Sequence, residues 1–211
     1  MDGGGAGAGL TLKGFSAFKP GFRVFGVAES FRPVLGDKSV LAGVVMRSDL
    51  LVDGFSVGRC TVGGMDATES ILEMHRSLGR DDINLLMLGG CIISLFNIVD
   101  LGRVAAETGV PLLCVTYNPS EGLSEIIKSR FPADWEERLR VYESNGPREN
   151  IVLKTGYTVH VRRVGVSRRS AEVVLNRLTI SGRVPEPIRV ARLLARSLLR
   201  GEAKTRLQAQ Q

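Results

Sequence analysis

The run Ile83-Asn84-Leu85-Leu86-Met87-Leu88 decides the fold, because a short apolar segment of this kind is typical of a central strand buried on both faces of a sheet. Before it, Asp66 to Leu78 places apolar residues at helical spacing and begins with a sequence that resembles a capping box. After it, the pattern predicts a helix from Asp100 to Thr108 that ends at Gly109, and an apolar strand from Val110 to Val115. The centre of the chain therefore alternates between helix and strand.

Three β-rich segments precede this alternation, and short turn-forming stretches connect them. They are Phe22 to Glu29, Ser39 to Met46, and Leu51 to Val62. Because the connections are short, we expect the three strands to form an antiparallel meander. A meander that leads into strand–helix–strand units is the element order of the ribonuclease H-like fold, an α/β fold whose mixed five-stranded sheet carries helices on both faces. Topology alone does not establish function.

The rest of the chain is predicted to form a carboxyl-terminal αβ extension. Its helices are expected at Leu123–Arg130, Asp134–Ser144, Ser167–Leu178 and Pro187–Leu199, and its strands at Ile151–Lys154 and Tyr157–Arg163. Residues 1–20 are glycine-rich and aperiodic, which predicts a flexible leader, and residues 201–211 are predicted to be a flexible tail. The sequence therefore predicts a single domain over residues 21–200.

Positive charge is concentrated in the last third of the chain. Residues 1–150 contain 15 Lys and Arg against 19 Asp and Glu, whereas residues 151–211 contain 13 against 3. Because a guanidinium can bind two phosphate oxygens at once, this arginine-rich excess favours a nucleic-acid partner. Four arginines flank a predicted strand-to-helix turn and are candidate nucleic-acid contacts: Arg162, Arg163, Arg168 and Arg169. A solvated arginine-rich face is the alternative, and it is the interpretation favoured for the helical stripe Arg189, Arg192, Arg196 and Arg200.

Several classes of protein are disfavoured. Cys60, Cys91 and Cys114 lie far apart in apolar segments, which is typical of buried, reduced thiols rather than of disulfides or a zinc site. His75 and His160 show no metal-binding spacing, and no nucleotide-binding fingerprint or serine-hydrolase elbow occurs. No apolar stretch reaches the roughly 20 residues of a transmembrane helix, and the amino terminus lacks a signal-peptide pattern. We therefore expect a cytoplasmic protein with no membrane partner.

Five segments carry a resemblance to a known family. They are Phe22–Val27, Thr61–Thr68, Leu86–Gly90, Phe96–Asp100 and Gly182–Ala191. Together they resemble an archaeal family of uncharacterised proteins also called endonuclease dU, distant relatives of endonuclease V, and the resemblance spans about residues 21–200. It implies a ribonuclease H-like core that cleaves a phosphodiester near an altered base, with carboxylates holding the Mg²⁺ that activates water.

Two positions depart from the family pattern. In family members the first strand tends to end in Gly-Ile-Asp-Asp and the fourth in Leu-Asp-Gly, whereas this chain has Ala28-Glu29 and Gly89-Gly90 at those places. Because successive side chains of a strand point to opposite faces, Glu29 cannot occupy the space of the acid missing at position 28 without a bulge. At Gly89 there is no side chain, so the central strand supplies no metal ligand there.

Three acidic residues remain as candidates for the chemistry. Glu29 and Asp66 are candidate catalytic residues, and together with Asp100 they are the candidate Mg²⁺ ligands. The alternatives are helix N-caps for Asp66 and Asp100, and a solvated strand end for Glu29. We interpret the chain as an endonuclease V-like protein directed at DNA or RNA, with a degenerate Mg²⁺-dependent site. A non-catalytic nucleic-acid-binding protein and an interaction module whose arginines form salt bridges are the alternatives.

Overall fold

A computed structural model describes Leu12, residues 21–118 and residues 123–208 of the chain. Apart from Leu12, the predicted leader lies outside the described residues, and so do residues 209–211 of the predicted tail. The strands are β1 (Arg23–Ser30), β2 (Lys38–Arg47), β3 (Val52–Thr61), β4 (Leu85–Leu88), β5 (Ile92–Ile93), β6 (Asn97–Ile98), β7 (Leu112–Thr116), β8 (Glu149–Val152) and β9 (Thr158–Val164). The helices are α1 (Ala67–Ser77), α2 (Leu101–Thr108), α3 (Leu123–Arg130), α4 (Trp135–Ser144), α5 (Arg168–Leu178) and α6 (Glu186–Gln208).

One mixed sheet in the order β3-β2-β1-β4-β7-β9-β8 organises the fold. The predicted antiparallel meander is present as β3-β2-β1, and β4 and β7 run parallel to β1, which confirms the ribonuclease H-like arrangement. The predicted extension differs in one respect, because its strands β9 and β8 continue this same sheet, antiparallel, to seven strands. Strand β9 pairs with β7 from Leu112↔Val164 to Thr116↔His160. Its backbone thus hydrogen-bonds to N–H and C=O groups of β7 that would otherwise be unpaired at the edge of the sheet.

Helices cover both faces of the sheet. Alternate residues of β1 face opposite ways, so Val24 and Ala28 pack with α5 and α6, whereas Phe25 and Val27 pack with α1 and α2. Every residue of β4 is buried, as its apolar sequence predicts for a central strand. Among residues 21–118 and 123–208, none of the helices combines the length and the apolar character that crossing a bilayer demands.

The long helix α6 lies directly on the meander. A Cβ atom built on Gly26 would be 2.5 Å from the Cβ of Pro187, so the absence of a side chain at position 26 lets the first turn of α6 touch β1. The helix continues to Gln208, past Leu199, where the sequence predicts its end, and includes residues 201–208 of the predicted tail. Its last turns are fixed to the sheet because Glu202 accepts hydrogen bonds from Arg59 on β3.

A small hairpin, β5–β6, follows β4 and was not predicted. Three successive residues of its turn, Ser94, Leu95 and Phe96, have φ values of 42°, 60° and 62°. This left-handed region is uncommon for residues other than glycine, so the turn is strained and must be held by its surroundings. The sequence offers no glycine in this turn, which is why the usual hairpin signal is missing.

Candidate functional site at the strand ends

The carboxyl ends of three neighbouring parallel strands meet at one edge of the sheet. Because Val27 of β1 lies beside Leu88 of β4, and Leu88 beside Cys114 of β7, residues 28–29, 89–91 and 116–118 share this edge. In open α/β sheets, ligands bind outside the carboxyl ends of the strands. The candidate site is therefore built from these three chain segments and from the elements packed against them.

The two positions that lack an acid face one another. A Cβ atom built on Gly89 would lie 3.8 Å from the Cβ of Ala28 and 3.1 Å from Cγ2 of Ile188 on α6. Ala28 is only 7% exposed and Ile188 is fully buried. Apolar packing therefore fills the space between the ends of β1 and β4, and a carboxylate at position 89 would require Ile188 to move.

Glu29 points away from this space, as strand parity predicts. Its carboxylate accepts a hydrogen bond from Oγ of Ser94 at 2.7 Å and another from the backbone N–H of Ser94. The Ser94 hydroxyl also lies 2.8 Å from Oγ of Ser39 and 3.2 Å from Sγ of Cys60. The strained hairpin turn thus supplies the two donors that hold the Glu29 carboxylate beside β2, in surroundings that are otherwise mostly apolar.

Burial dominates the ionisation of Glu29. It raises the pKa of the carboxyl above its ordinary value of 4.5, although the hydrogen bonds from Ser94 and the charge of Arg192 act in the opposite direction. The folded protein therefore takes up this proton before the unfolded chain does as the pH falls. Ionised Glu29 costs stability at high pH, and the cost disappears as the pH falls through the folded-state pKa.

We expect Glu29→Gln to be more stable than the wild type above the folded-state pKa of Glu29. Glutamine keeps an oxygen that accepts from Ser94 but carries no charge, so the advantage should shrink as the pH falls toward 4.5. Urea unfolding measured between pH 5 and pH 8 checks this, with Glu73→Gln on the exposed face of α1 as the control. A wild type that is more stable than Glu29→Gln at pH 8 would contradict it.

Asp66 stands at the N-cap position of α1, but its side chain makes no capping hydrogen bond. It closes the β3–α1 turn instead, accepting from the backbone N–H of Thr61 at 2.8 Å, from Oγ1 of Thr61 at 2.7 Å and from Nδ2 of Asn97 at 2.7 Å. Asn97 does the capping, since its Oδ1 accepts from the N–H of Ala67 at 3.0 Å. Burial raises the pKa of Asp66, but the donors on Thr61 and Asn97 outweigh it and hold the pKa below 3.8.

Asp100 has the alternative role that the sequence offered, because it caps α2. Its side chain accepts from the backbone N–H of Arg103 at 2.8 Å, and its own N–H donates to Oγ1 of Thr68 at 3.0 Å. A cap of this kind stabilises a helix by about 1 kcal/mol.

The three candidate Mg²⁺ ligands are not brought together in one cluster. Mg²⁺ requires oxygen ligands held close together, and in the described part of the chain no three His, Cys, Asp or Glu side chains are grouped so that they could hold a metal. Glu29 and Asp66 lie on the same side of the sheet, where their charges add to the burial that raises the pKa of Cys60. Both are engaged by protein donors, and Asp100 belongs to a separate turn.

The four candidate arginines are not brought together on one surface. Arg162 and Arg163 are neighbours on β9 and point to opposite faces, and Arg162 is only 6% exposed. Arg163 and Arg168 both pair with Glu149, at 2.5 Å and 3.4 Å, so one carboxylate neutralises much of their charge. Arg169 is exposed at the start of α5. Only Arg169 is thus placed as the sequence interpretation requires.

A cleft of about 340 Å³, which no sequence pattern predicted, opens beside the strand ends. Its lining residues come from several separate stretches of chain: Gly89, Gly90, Cys91, Ile92, Phe96, Thr116, Tyr117, Asn118, Leu123, Tyr142, Arg148 and Arg162. The guanidinium carbons of Arg183 and Arg192 lie 5.7 Å and 5.5 Å from the centre of the Tyr117 ring. Aromatic rings and guanidinium groups therefore converge at the carboxyl end of β7, where the only sequence signal was an aromatic residue after an apolar strand.

Comparisons with known proteins agree with this architecture. A family model described as Endonuclease dU matches residues 20–199. A UPF0215 protein of Pyrobaculum calidifontis is 37% identical over 170 residues, which cover 80% of this chain and 92% of that protein.

Solved structures agree in the same way. A protein of unknown function from Archaeoglobus fulgidus superposes with a TM-score of 0.72 at 27% identity, covering 84% of this chain and 98% of its own. Endonuclease V of Ciona intestinalis, in complex with DNA containing an inosine, superposes with a TM-score of 0.59 at 15% identity, covering 86% and 87%, a likeness of fold alone. The chain therefore belongs to the endonuclease dU family and has the fold of endonuclease V.

Proposed function

We propose that this protein binds nucleic acid at the strand-end cleft, and that Mg²⁺-dependent phosphodiester cleavage is weakened or lost in it. One observation carries the proposal: three aromatic rings and two arginines are among the side chains that line the cleft, while the adjoining carboxylate positions are Ala28 and Gly89, packed under Ile188. The complex of Ciona intestinalis endonuclease V with inosine-containing DNA supports nucleic acid as the class of ligand for this fold.

The cleft has the chemistry of a site for an unpaired base. Its volume lies in the range of small-molecule sites, and the rings of Phe96, Tyr117 and Tyr142 line it. Stacking of a base on an aromatic side chain contributes about 1–3 kcal/mol and tolerates any base sequence. The cleft therefore suits a base that has left its helix or belongs to a single strand.

Arg183 and Arg192 are the best-placed contacts for phosphate. Arg192 forms none of the ion pairs present among the described residues, and Arg183 donates to the carbonyl oxygen of Tyr117 at 2.7 Å, which leaves its charge uncancelled by a carboxylate. Arg163 and Arg168, by contrast, are paired with Glu149. We therefore place the phosphate-binding surface beside Tyr117, with the exposed Arg169 as an outlying contact.

Binding of labelled DNA and RNA oligonucleotides that contain uracil or hypoxanthine tests the proposal. We expect fluorescence anisotropy to show affinity that falls as salt is raised, because phosphate binding releases counterions. Arg192→Ala should weaken binding to every sequence and reduce the salt slope by about 1, as the loss of one phosphate contact does. Arg140→Ala, which changes an exposed arginine of α4, is the matched control.

Three results would count against this proposal. Affinity that does not change with salt would remove phosphate recognition. Equal binding by the wild type and Arg192→Ala would remove the surface beside Tyr117. Failure to bind any of the oligonucleotides would instead favour an interaction module whose arginines serve ion pairs such as Arg163–Glu149.

A further inference from the structure

Arg162 is a buried cation that has no carboxylate partner among the described residues. It is 6% exposed, donates from Nε to the carbonyl oxygen of Gly146 at 2.7 Å, and lies 4.9 Å from the centre of the Tyr142 ring. It takes part in none of the ion pairs that the described residues form. Burying an unpaired charge costs several kcal/mol, so an anion beside this guanidinium would be stabilised strongly.

The group that lies beside this guanidinium is the thiol of Cys91. Nη1 of Arg162 is 3.4 Å from Sγ of Cys91, and both residues line the strand-end cleft. Cys91 follows the carboxyl end of β4, and Cys114 lies on the adjacent strand β7, paired with Leu88. The two cysteines, far apart in sequence, therefore lie in the same buried cluster, and Cys91 lines the cleft.

The two thiols have opposite tendencies to ionise. A hydrogen bond from Cys114 lowers the pKa of Cys91, and the charges of Arg162 and Arg148 lower it further against the effect of burial. The same hydrogen bond, together with complete burial, raises the pKa of Cys114. Tyr142 adds a ring face to Arg162 but no opposing charge. Of the two thiols, Cys91 is therefore the one that ionises more readily.

We propose that Cys91 is a reactive thiolate that small peroxides reach through the cleft, and that Cys114 is the thiol that resolves its oxidised form. In the first step the Cys91 sulfur attacks hydrogen peroxide, an S–O bond forms, the O–O bond breaks, and hydroxide leaves and takes up a proton as water. In the second step Cys114 loses its proton, its sulfur attacks Cys91, and a second water leaves as the disulfide forms. Two thiols give two electrons and two protons to one peroxide.

Cys60 provides an internal control for this proposal. It is equally buried, but its sulfur lies beside the hydroxyls of Ser39 and Ser94, and no arginine in the described part of the chain hydrogen-bonds to it. Burial and the charges of Asp66 and Glu29 raise its pKa. The site does not depend on nucleic-acid binding, so its test stands apart from the proposed function.

Alkylation of the native protein by iodoacetamide, followed by mass spectrometry of each cysteine, measures the thiolate directly. We expect Cys91 to react fastest. Its alkylation rate should reach half of its maximum at a pH below about 8.5, the ordinary pKa of a thiol. Arg162→Met should slow its reaction at pH 7 by about tenfold or more, the change in thiolate fraction that one pKa unit produces. The comparison of Cys91 with Cys60 in the wild type needs no variant, and equal rates at the two sites would overturn the proposal.

Treatment with hydrogen peroxide tests the second step. We expect peptide mapping to show a Cys91–Cys114 disulfide in the wild type, and a dimedone adduct at Cys91 in Cys114→Ala, where no resolving thiol remains. Cys60→Ala should behave as the wild type does. If Cys91 and Cys114 both stay reduced at a peroxide concentration that oxidises Cys60, the proposal is wrong.

Discussion

Replacing Arg138 by methionine is expected to lower the free energy of unfolding by about 3–5 kcal/mol, the cost of breaking a buried ionic network. The Arg138 side chain is only 3% exposed and pairs with Asp134 at 2.7 Å. It also donates to the carbonyl oxygens of Gly63, Gly64 and Phe96, at 2.7, 3.0 and 2.7 Å. Methionine fills a similar volume but leaves three carbonyl groups without their donor.

The loss of stability should affect the β5–β6 hairpin in particular as well as the whole protein, because Arg138 joins the β3–α1 turn to this strained hairpin. Urea unfolding measures the stability, and amide hydrogen exchange at residues 92–98 reports the hairpin. Arg140→Met on the same helix is the control; its side chain is 76% exposed and should change stability by less than about 0.5 kcal/mol. Equal losses in the two variants would show that the helix, not this network, is affected.

Replacing Gly26 by alanine is the second large effect that we expect. The added methyl group would lie 2.5 Å from the Cβ of Pro187 and 2.7 Å from its carbonyl carbon, and atoms of the backbone cannot give way as a flexible side chain can. Overpacking of this kind costs about 1–3 kcal/mol, and a contact with backbone belongs at the upper end. Because Pro187 precedes Ile188, the variant should also loosen the apolar cover over Gly89.

Gly201→Ala is the matched control, since it makes the same change within α6 itself. Nothing lies within 4 Å of a Cβ atom at position 201, so alanine should stabilise the exposed helix by about 0.5–1 kcal/mol. Denaturation curves of the two variants should therefore move in opposite directions. A Gly26→Ala protein as stable as the wild type would mean that α6 does not rest on β1 as described.

Much of the fold could be predicted from the sequence because its elements bury regular apolar patterns. The run Leu85–Leu88 is buried on both faces, and its sequence contains little else than apolar side chains. The hairpin β5–β6 escaped prediction because its strands are two residues long and its turn is held by contacts from elsewhere, such as that of Arg138 with Phe96. Local sequence does not encode such contacts.

The candidate site was less predictable, because the sequence does not show which arginines pair with carboxylates in the folded protein. The sequence grouped Arg162 with Arg163, yet one is buried beside Cys91 and the other is paired with Glu149. The parity argument for Glu29 agrees with its placement, because alternation along a strand is local geometry. The cleft was missed, because its lining comes from segments that only the parallel order of β4 and β7 brings together.

The most direct test of the account is a cleavage time course with labelled DNA and RNA that contain uracil or hypoxanthine, in Mg²⁺ or Mn²⁺. The experiment compares the wild type with Glu29→Ala and Asp66→Ala, each at a protein concentration above that of the substrate. We predict that the wild type binds these substrates but leaves them intact, because Ala28 and Gly89 supply no metal ligand and Ile188 fills the space above them. Metal-dependent cleavage by the wild type that both variants lose would contradict this account.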